Sequence, residues 1–127
     1  MVKPDAYSNL GKIVAAIESA GFRISNIRMT RMTLKDAQQF YGEHQGKPFF
    51  EELTNFICSD FIVGLELVAT DCIKLWRDLI GPTNCQIARV EAPKSLRALY
   101  GQEGVRNACH GSDSRNFFGS KSNSPII

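Results

Sequence analysis

An α+β sandwich, with helices packed over one mostly antiparallel sheet, follows from three features of this 127-residue chain. Helical and strand periodicities run in the order strand, helix, strand, two helices, strand, helix, short helix, strand, a mixture that suits an α+β layer architecture. One of those runs, Phe61 to Val68, is apolar on nearly both faces, as a central strand must be. No repeat or linker-like stretch divides residues 1–114, and 43% hydrophobic composition is enough for a single core.

The elements follow in chain order. Residues 2 and 3 leave room only for a short first strand. Leu10, Ile13, Val14 and Ile17 recur at helical spacing, with Ser8 or Asn9 placed to cap the start and Gly21 to end the turn. The stretch FRISNIRMTRM is rich in Ile, Phe, Met and Thr but alternates imperfectly, which predicts a strand with a bulge around Ser25 to Ile27. Thr33 opens T-x-x-D and a short helix to about Tyr41 that buries Leu34, Ala37 and Phe40 or Tyr41. Pro48 suits a first helical position, and Phe49, Leu53, Phe56 and Ile57 continue the spacing behind it. After the strand at 61–68, Asp71 is placed to cap a helix carrying Ile73, Trp76, Leu79 and Ile80, stopped by Gly81-Pro82. A short helix is expected from Pro93 to Tyr100, ending at Gly101, and a last strand before His110. The serine-rich stretch at 115–127 is expected to be a loose tail.

Composition excludes several function classes. Fifteen basic and thirteen acidic residues give a net charge of +2, without the clustered Lys and Arg of a nucleic-acid footprint. No apolar run approaches the ~20 residues of a membrane span, and the start has no signal segment. The four cysteines, Cys58, Cys72, Cys85 and Cys109, form no C-x-x-C pair, so they read as reduced packing thiols of a soluble intracellular protein rather than a zinc site. Cys109, beside His110, has a possible redox role.

The phosphate loop G-x-x-x-x-G-K-[ST] and the G-x-G-x-x-G turn are both absent, so any nucleotide chemistry has to use side chains. Candidates are Lys3, Tyr41, Phe49, Arg77, Thr83, Arg97, Asn107 and His110, most at element ends or in loops. Two arginines, a lysine and a hydroxyl suit a triphosphate, because guanidinium forks match phosphate oxygens. Each also has a plainer reading: Tyr41 as the end of an apolar stripe, Arg77 and Arg97 as solvated helix charges, Phe49 as core. His44 reads as a solvated loop residue.

The segments VKPDAYSNLGKI, FYGEHQGKPFFEEL, LIGPTN, SLRALYG and RNACHGSDS, in that order, resemble the nucleoside diphosphate kinase family over nearly all of residues 2–114. The resemblance implies a ferredoxin-like βαββαβ fold. It also implies that His110 takes the γ-phosphate of a nucleoside triphosphate such as ATP or GTP as phosphohistidine and passes it to a diphosphate. Lys3 would contact ribose and phosphate, Tyr41 and Asn107 would position the site, Phe49 would stack on the base, and Arg77, Thr83 and Arg97 would hold the phosphates. Asp113 would approach Mg2+ through water, while Ser112 and the small Gly111 would leave room for the phosphate. An imidazole with an ordinary pKa of about 6.5 is largely unprotonated at neutral pH and needs no separate base.

Departures from the family pattern carry their own implications. Gln45 stands where the family usually has lysine, and the longer stretch from Asn84 to Arg97 reads P-K-S-L-R for P-G-T-I-R, which argues against the standard hexamer. The short first strand and divergent tail suggest a fragment or truncated product. The pattern is most similar to the first kinase domain of tandem-domain members associated with cilia and axonemes. The implied location is cytoplasm, cilium or axoneme, and microtubule-associated proteins become candidate partners. A structural or regulatory nucleotide-binding role with little turnover therefore stands beside catalysis.

Overall fold

The computed structural model describes residues 1–112; the expected tail at 115–127 and Asp113 lie outside them. Strand β1 (Arg23–Thr30) pairs antiparallel with β2 (Ile62–Val68), in register from Arg23 opposite Val68 to Thr30 opposite Ile62. The register shifts between Ile24 and Asn26, where the sequence places a bulge, and there the Ser25 hydroxyl donates to Glu66 Oε1 at 2.8 Å. On the other side of β2, Val2 bridges antiparallel to both Val63 and Cys109. The lanes therefore run Cys109, Val2, β2, β1, with the first and last strands of the βαββαβ order reduced to bridges.

Helices α1 (Leu10–Ser19), α2 (Leu34–Phe40), α3 (Phe50–Ile57), α4 (Cys72–Ile80), α5 (Cys85–Glu91) and α6 (Leu96–Tyr100) complete the fold. The apolar residues of β2 divide between two cores. Val63, Leu65 and Leu67 pack with Ile13 and Ile17 of α1 and with Trp76 and Ile80 of α4. Ile62 joins Ala37, Leu53, Phe56 and Ile57 beneath α2 and α3. Burial of these side chains is the main source of stability, at roughly 1.5–3 kcal/mol for each large one.

Several local expectations hold in detail. Thr33 and Asp36 form a reciprocal capping box, and Gly101 ends α6. Others need correction. Asp71 stands before α4, but its backbone is left-handed with φ at 52° and its side chain makes no cap bond. Asn9 precedes α1 without a side-chain cap bond, because a 3₁₀ helix from Pro4 to Asn9 already leads into it. Pro48 lies two residues ahead of α3 rather than within its first turn. The expected helix from Pro93 begins only at Leu96.

Helix α5 has no counterpart in the sequence reading. Its start is fixed by Asn84, whose Oδ1 accepts from the amides of Gln86 at 2.9 Å and Ile87 at 3.2 Å. Asn84→Ala should lower unfolding free energy by about 1 kcal/mol, read in urea denaturation as a reduced midpoint with unchanged slope.

Candidate active site

The seam between the chain's two ends builds one wall of the site. The Val2 amide and carbonyl pair with Val63, at 2.8 and 3.0 Å, locking the lane into the sheet. On the opposite edge, the Lys3 amide donates to the Ala108 carbonyl at 2.8 Å and the His110 amide to the Met1 carbonyl at 2.9 Å. The His110 carbonyl in turn accepts from the Trp76 indole at 3.3 Å. The backbone of His110 is thus held from the sheet and from α4.

The conformation entering His110 is strained. Ala108 adopts φ of 67°, a region that costs a non-glycine residue about 1–2 kcal/mol. The Cys109 amide donates to the Asn107 carbonyl at 2.8 Å, closing a three-residue turn around Ala108. Two further bonds hold the turn: the Ala108 amide donates to Asp5 Oδ2 at 2.9 Å, and Lys3 Nζ donates to Asn107 Oδ1 at 2.7 Å.

A groove of about 1040 Å³ opens in front of this wall. Its lining includes Lys3 beside the seam, Tyr41 after α2, Phe49 before α3, Arg77 on α4, Thr83 before α5, Arg97 on α6, and Asn107 and His110 on the last lane. All eight side chains that the sequence reading singled out as the nucleotide site therefore share one cavity. Ser112 is buried but is not part of that lining, and Asp113 falls outside the described residues.

The polar groups interlock while leaving hydrogen-bonding capacity. Asn107 links the Lys3 ammonium to the Thr83 backbone, through its Nδ2 donating to Thr83 O at 3.0 Å. Arg97, only 9% exposed, donates to Gly81 O at 2.8 Å and Cys109 O at 3.0 Å. Neither Arg97 Nε nor the Tyr41 hydroxyl, both buried, has a hydrogen-bond partner among the described residues. Buried donors are normally satisfied. Two such donors on one groove, with no carboxylate ion-paired to Lys3 or Arg97 among the described residues, suit an anionic ligand.

Burial and repulsion tune the charges. Burial pulls the Lys3 ammonium down to about 8, and the Arg97 guanidinium pushes the same way. Burial raises Tyr41 above the ordinary phenol range, so the hydroxyl remains a neutral donor. His110 packs edge-on against the rings of Phe40, at 5.2 Å, and Tyr41, at 5.6 Å. Burial, followed by the positive charges of the Met1 amine, Lys3 and Arg97, pushes its imidazole down to about 3. A neutral ring nitrogen on a cationic groove wall can attack an electrophilic phosphorus without first losing a proton.

Some roles differ from the sequence reading. Gly111 does not simply leave space: a Cβ there would lie 3.0 Å from Ile80 Cδ1 and 3.2 Å from the Trp76 ring, so its smallness serves the packing of α4. Arg97 is neither a solvated charge nor only a candidate ligand, since it ties Gly81 to the lane carrying His110. Burial raises the Cys109 thiol to about 11, which keeps thiolate scarce and argues against ready oxidation. His44, read as a solvated loop residue, lines the groove: its ring stacks against Tyr41 at 6.1 Å and sits 5.5 Å from the Phe49 ring. Its place three residues after Tyr41 and five before Phe49 was the available signal. No helix among the described residues is long and apolar enough to cross a membrane.

A family model described as nucleoside diphosphate kinase matches residues 1–123. The chain belongs to the nucleoside diphosphate kinase family. It is 45% identical over 113 residues to nucleoside diphosphate kinase homolog 7 of Rattus norvegicus, covering 89% of this chain and 29% of that protein. It is 43% identical over 116 residues to the Aquifex aeolicus nucleoside diphosphate kinase, covering 90% and 82%. The solved Aquifex aeolicus kinase superposes with a TM-score of 0.87 at 42% identity, over 91% of this chain and 84% of that one. The Halobacterium salinarum kinase in complex with CDP gives 0.83 at 28% identity, over 99% and 87%. The ferredoxin-like α+β fold of the family is therefore this chain's fold.

Two outcomes follow from the site's construction. Arg97→Ala strips charged donors from two carbonyls of the fold and should cost about 1.5–3 kcal/mol of stability in urea denaturation. His110 is unprotonated in the folded chain down to about 3 but titrates near 6.5 when unfolded. Between those values the unfolded state binds the extra proton, so stability falls as pH drops below 6.5. His110→Gln should weaken that acid dependence, measured as unfolding free energy at pH 7 and pH 5.

Proposed function

We propose that this domain is a nucleoside diphosphate kinase working through phosphohistidine at His110. The observation that carries the proposal is the placement of His110 on the wall of a groove shared with the buried cations Lys3 and Arg97, which have no carboxylate ion pair among the described residues. In the first step a ring nitrogen of His110 attacks the γ-phosphorus of a nucleoside triphosphate, the P–N bond forms, and the bond to the β-phosphate oxygen breaks to release diphosphate. In the second, a terminal oxygen of an incoming diphosphate attacks the same phosphorus and the P–N bond breaks. The imidazole returns unchanged, with no net proton transfer.

Lys3, Arg77, Arg97 and Thr83 hold the phosphates, and the orphaned Tyr41 hydroxyl and Arg97 Nε offer donors to them. This is catalysis by positioning and charge neutralisation, the usual logic of phosphoryl transfer. Phe49, 40% exposed at the groove, presents its ring for the base; a π-face reads no base edge, which gives broad base acceptance. Mg2+ would arrive on the phosphates, which the groove's cations and hydroxyl hold, rather than in a protein cage, since the described residues include no cluster of three acidic, Cys or His residues. When bound, Mg2+ adds charge neutralisation on the phosphate oxygens.

A second reading is a nucleotide-binding component of a ciliary or microtubule-associated assembly with little turnover. It is favoured by exposed apolar side chains outside the groove lining, Val90 at 82% together with Ile87 and Leu99. The deciding experiment incubates the chain with Mg-ATP, measures acid-labile phosphate on His110, and then adds GDP. The kinase reading expects label that transfers to GTP and is absent in His110→Ala. A folded chain that binds nucleotide yet takes no label would overturn it in favour of the second reading. In addition, Lys3 loses its proton as pH rises through about 8, so ADP affinity should fall by about tenfold above that pH. Titration calorimetry from pH 7 to 9.5 checks this, and Lys3→Met should be weak and pH-independent over the same range.

A further inference from the structure

Asp5 lies outside the groove lining, yet it bonds to the turn that leads into His110. It lies in the first turn of the 3₁₀ helix Pro4–Asn9, where an acidic residue would ordinarily be explained by the favourable N-terminal charge alone. Instead, Oδ2 accepts from the Ala108 amide at 2.9 Å, and Oδ1 is buried without a partner among the described residues.

The geometry of this contact is specific. The Ala108 amide belongs to the peptide plane before its Cα, and the Ala108 carbonyl to the plane after it. Asp5 holds the first and the Lys3 amide holds the second, at 2.8 Å. Pro4 lies between these two residues and fixes its own φ. One stiff segment therefore grips both planes around the strained residue and sets its φ and ψ together. Without the carboxylate, an alanine at φ of 67° has reason to relax toward negative φ, which would rotate the chain entering His110.

We propose that Asp5 is a positioning residue for His110: its carboxylate, acting with the Lys3 amide, holds Ala108 left-handed and so sets the direction from which the imidazole meets phosphorus. The proposal rests on the phosphohistidine reading above. It makes Asp5 and Ala108 a coupled pair, because glycine occupies positive φ freely and has less need of the clamp.

The test is a double-mutant cycle in the full chain, using Asp5→Ala, Ala108→Gly and both together. Circular dichroism confirms folding, ADP binding is measured separately, and His110 labelling is followed in a single turnover at saturating Mg-ATP. Asp5→Ala should slow labelling by about 100-fold with ADP affinity within about twofold, whereas the same change in the Ala108→Gly background should cost at most about tenfold. Asp5→Asn, whose amide oxygen still accepts from Ala108, should regain most of the rate. If Asp5→Ala does not fold, the cycle is run with Asp5→Ser.

Equal losses in the two backgrounds, an unchanged rate, or a parallel loss of ADP affinity would overturn the proposal. Absence of label in the unsubstituted chain would overturn the kinase reading instead. The ring-proton NMR signals of His110 then decide the role of Asp5. Signals displaced by Asp5→Ala and largely restored by adding Ala108→Gly support it, and signals unmoved by Asp5→Ala refute it.

Discussion

The antiparallel seam between residues 1–3 and 108–110 is the constraint on which the rest of the molecule depends. It is short, but it is locked on one side to β2 through Val2 and Val63 and on the other to α4 through the Trp76 indole. Buried residues of both lanes sit in the larger core, so breaking the seam would also open a dry interior. A few backbone bonds thereby acquire the stiffness of the whole sheet, and Lys3, Asn107 and His110 share a common rigid base.

That base carries an electrostatic cost. Lys3 and Arg97 are held near each other in partial or full burial, and each has its charged form disfavoured by desolvation. Their hydrogen bonds go mainly to carbonyls and an amide oxygen rather than to carboxylates. Such an arrangement is poor for a free-standing fold and good for a polyanion, because the attraction is ready before the ligand arrives. Stability supplied by Leu65, Leu67, Ile13 and Trp76 elsewhere is what tolerates it.

Where the sequence was legible, large apolar residues and their period told the same story as burial. Ile13 and Ile17, Trp76 and Ile80, and the box of Thr33 with Asp36 are of this kind. Helix α5 was hidden because its buried residues, Cys85 and Ala88, are small, while Ile87 and Val90 face outward and scramble the pattern. The 3₁₀ helix at Pro4–Asn9 is too short to print a period, and the left-handed turn at Asp71 reverses the expected cap. The groove lining was legible only through motif resemblance, since nothing local in Arg77 or Thr83 says that they meet His110. Asp5 escaped even that reading, because its partner is a backbone amide 103 residues away.

Trp76 is the only tryptophan in the chain, and its indole nitrogen is bonded to the carbonyl of His110 while its ring packs edge-on to Phe22 at 6.3 Å. The same side chain therefore touches both the centre of the larger core and the backbone of His110. Its fluorescence gives a built-in optical channel for two processes: loss of the core shifts emission toward that of a solvated indole, and any movement of the seam perturbs a buried one. Displacement of the seam and unfolding can thus be followed in the unlabelled chain from a single chromophore.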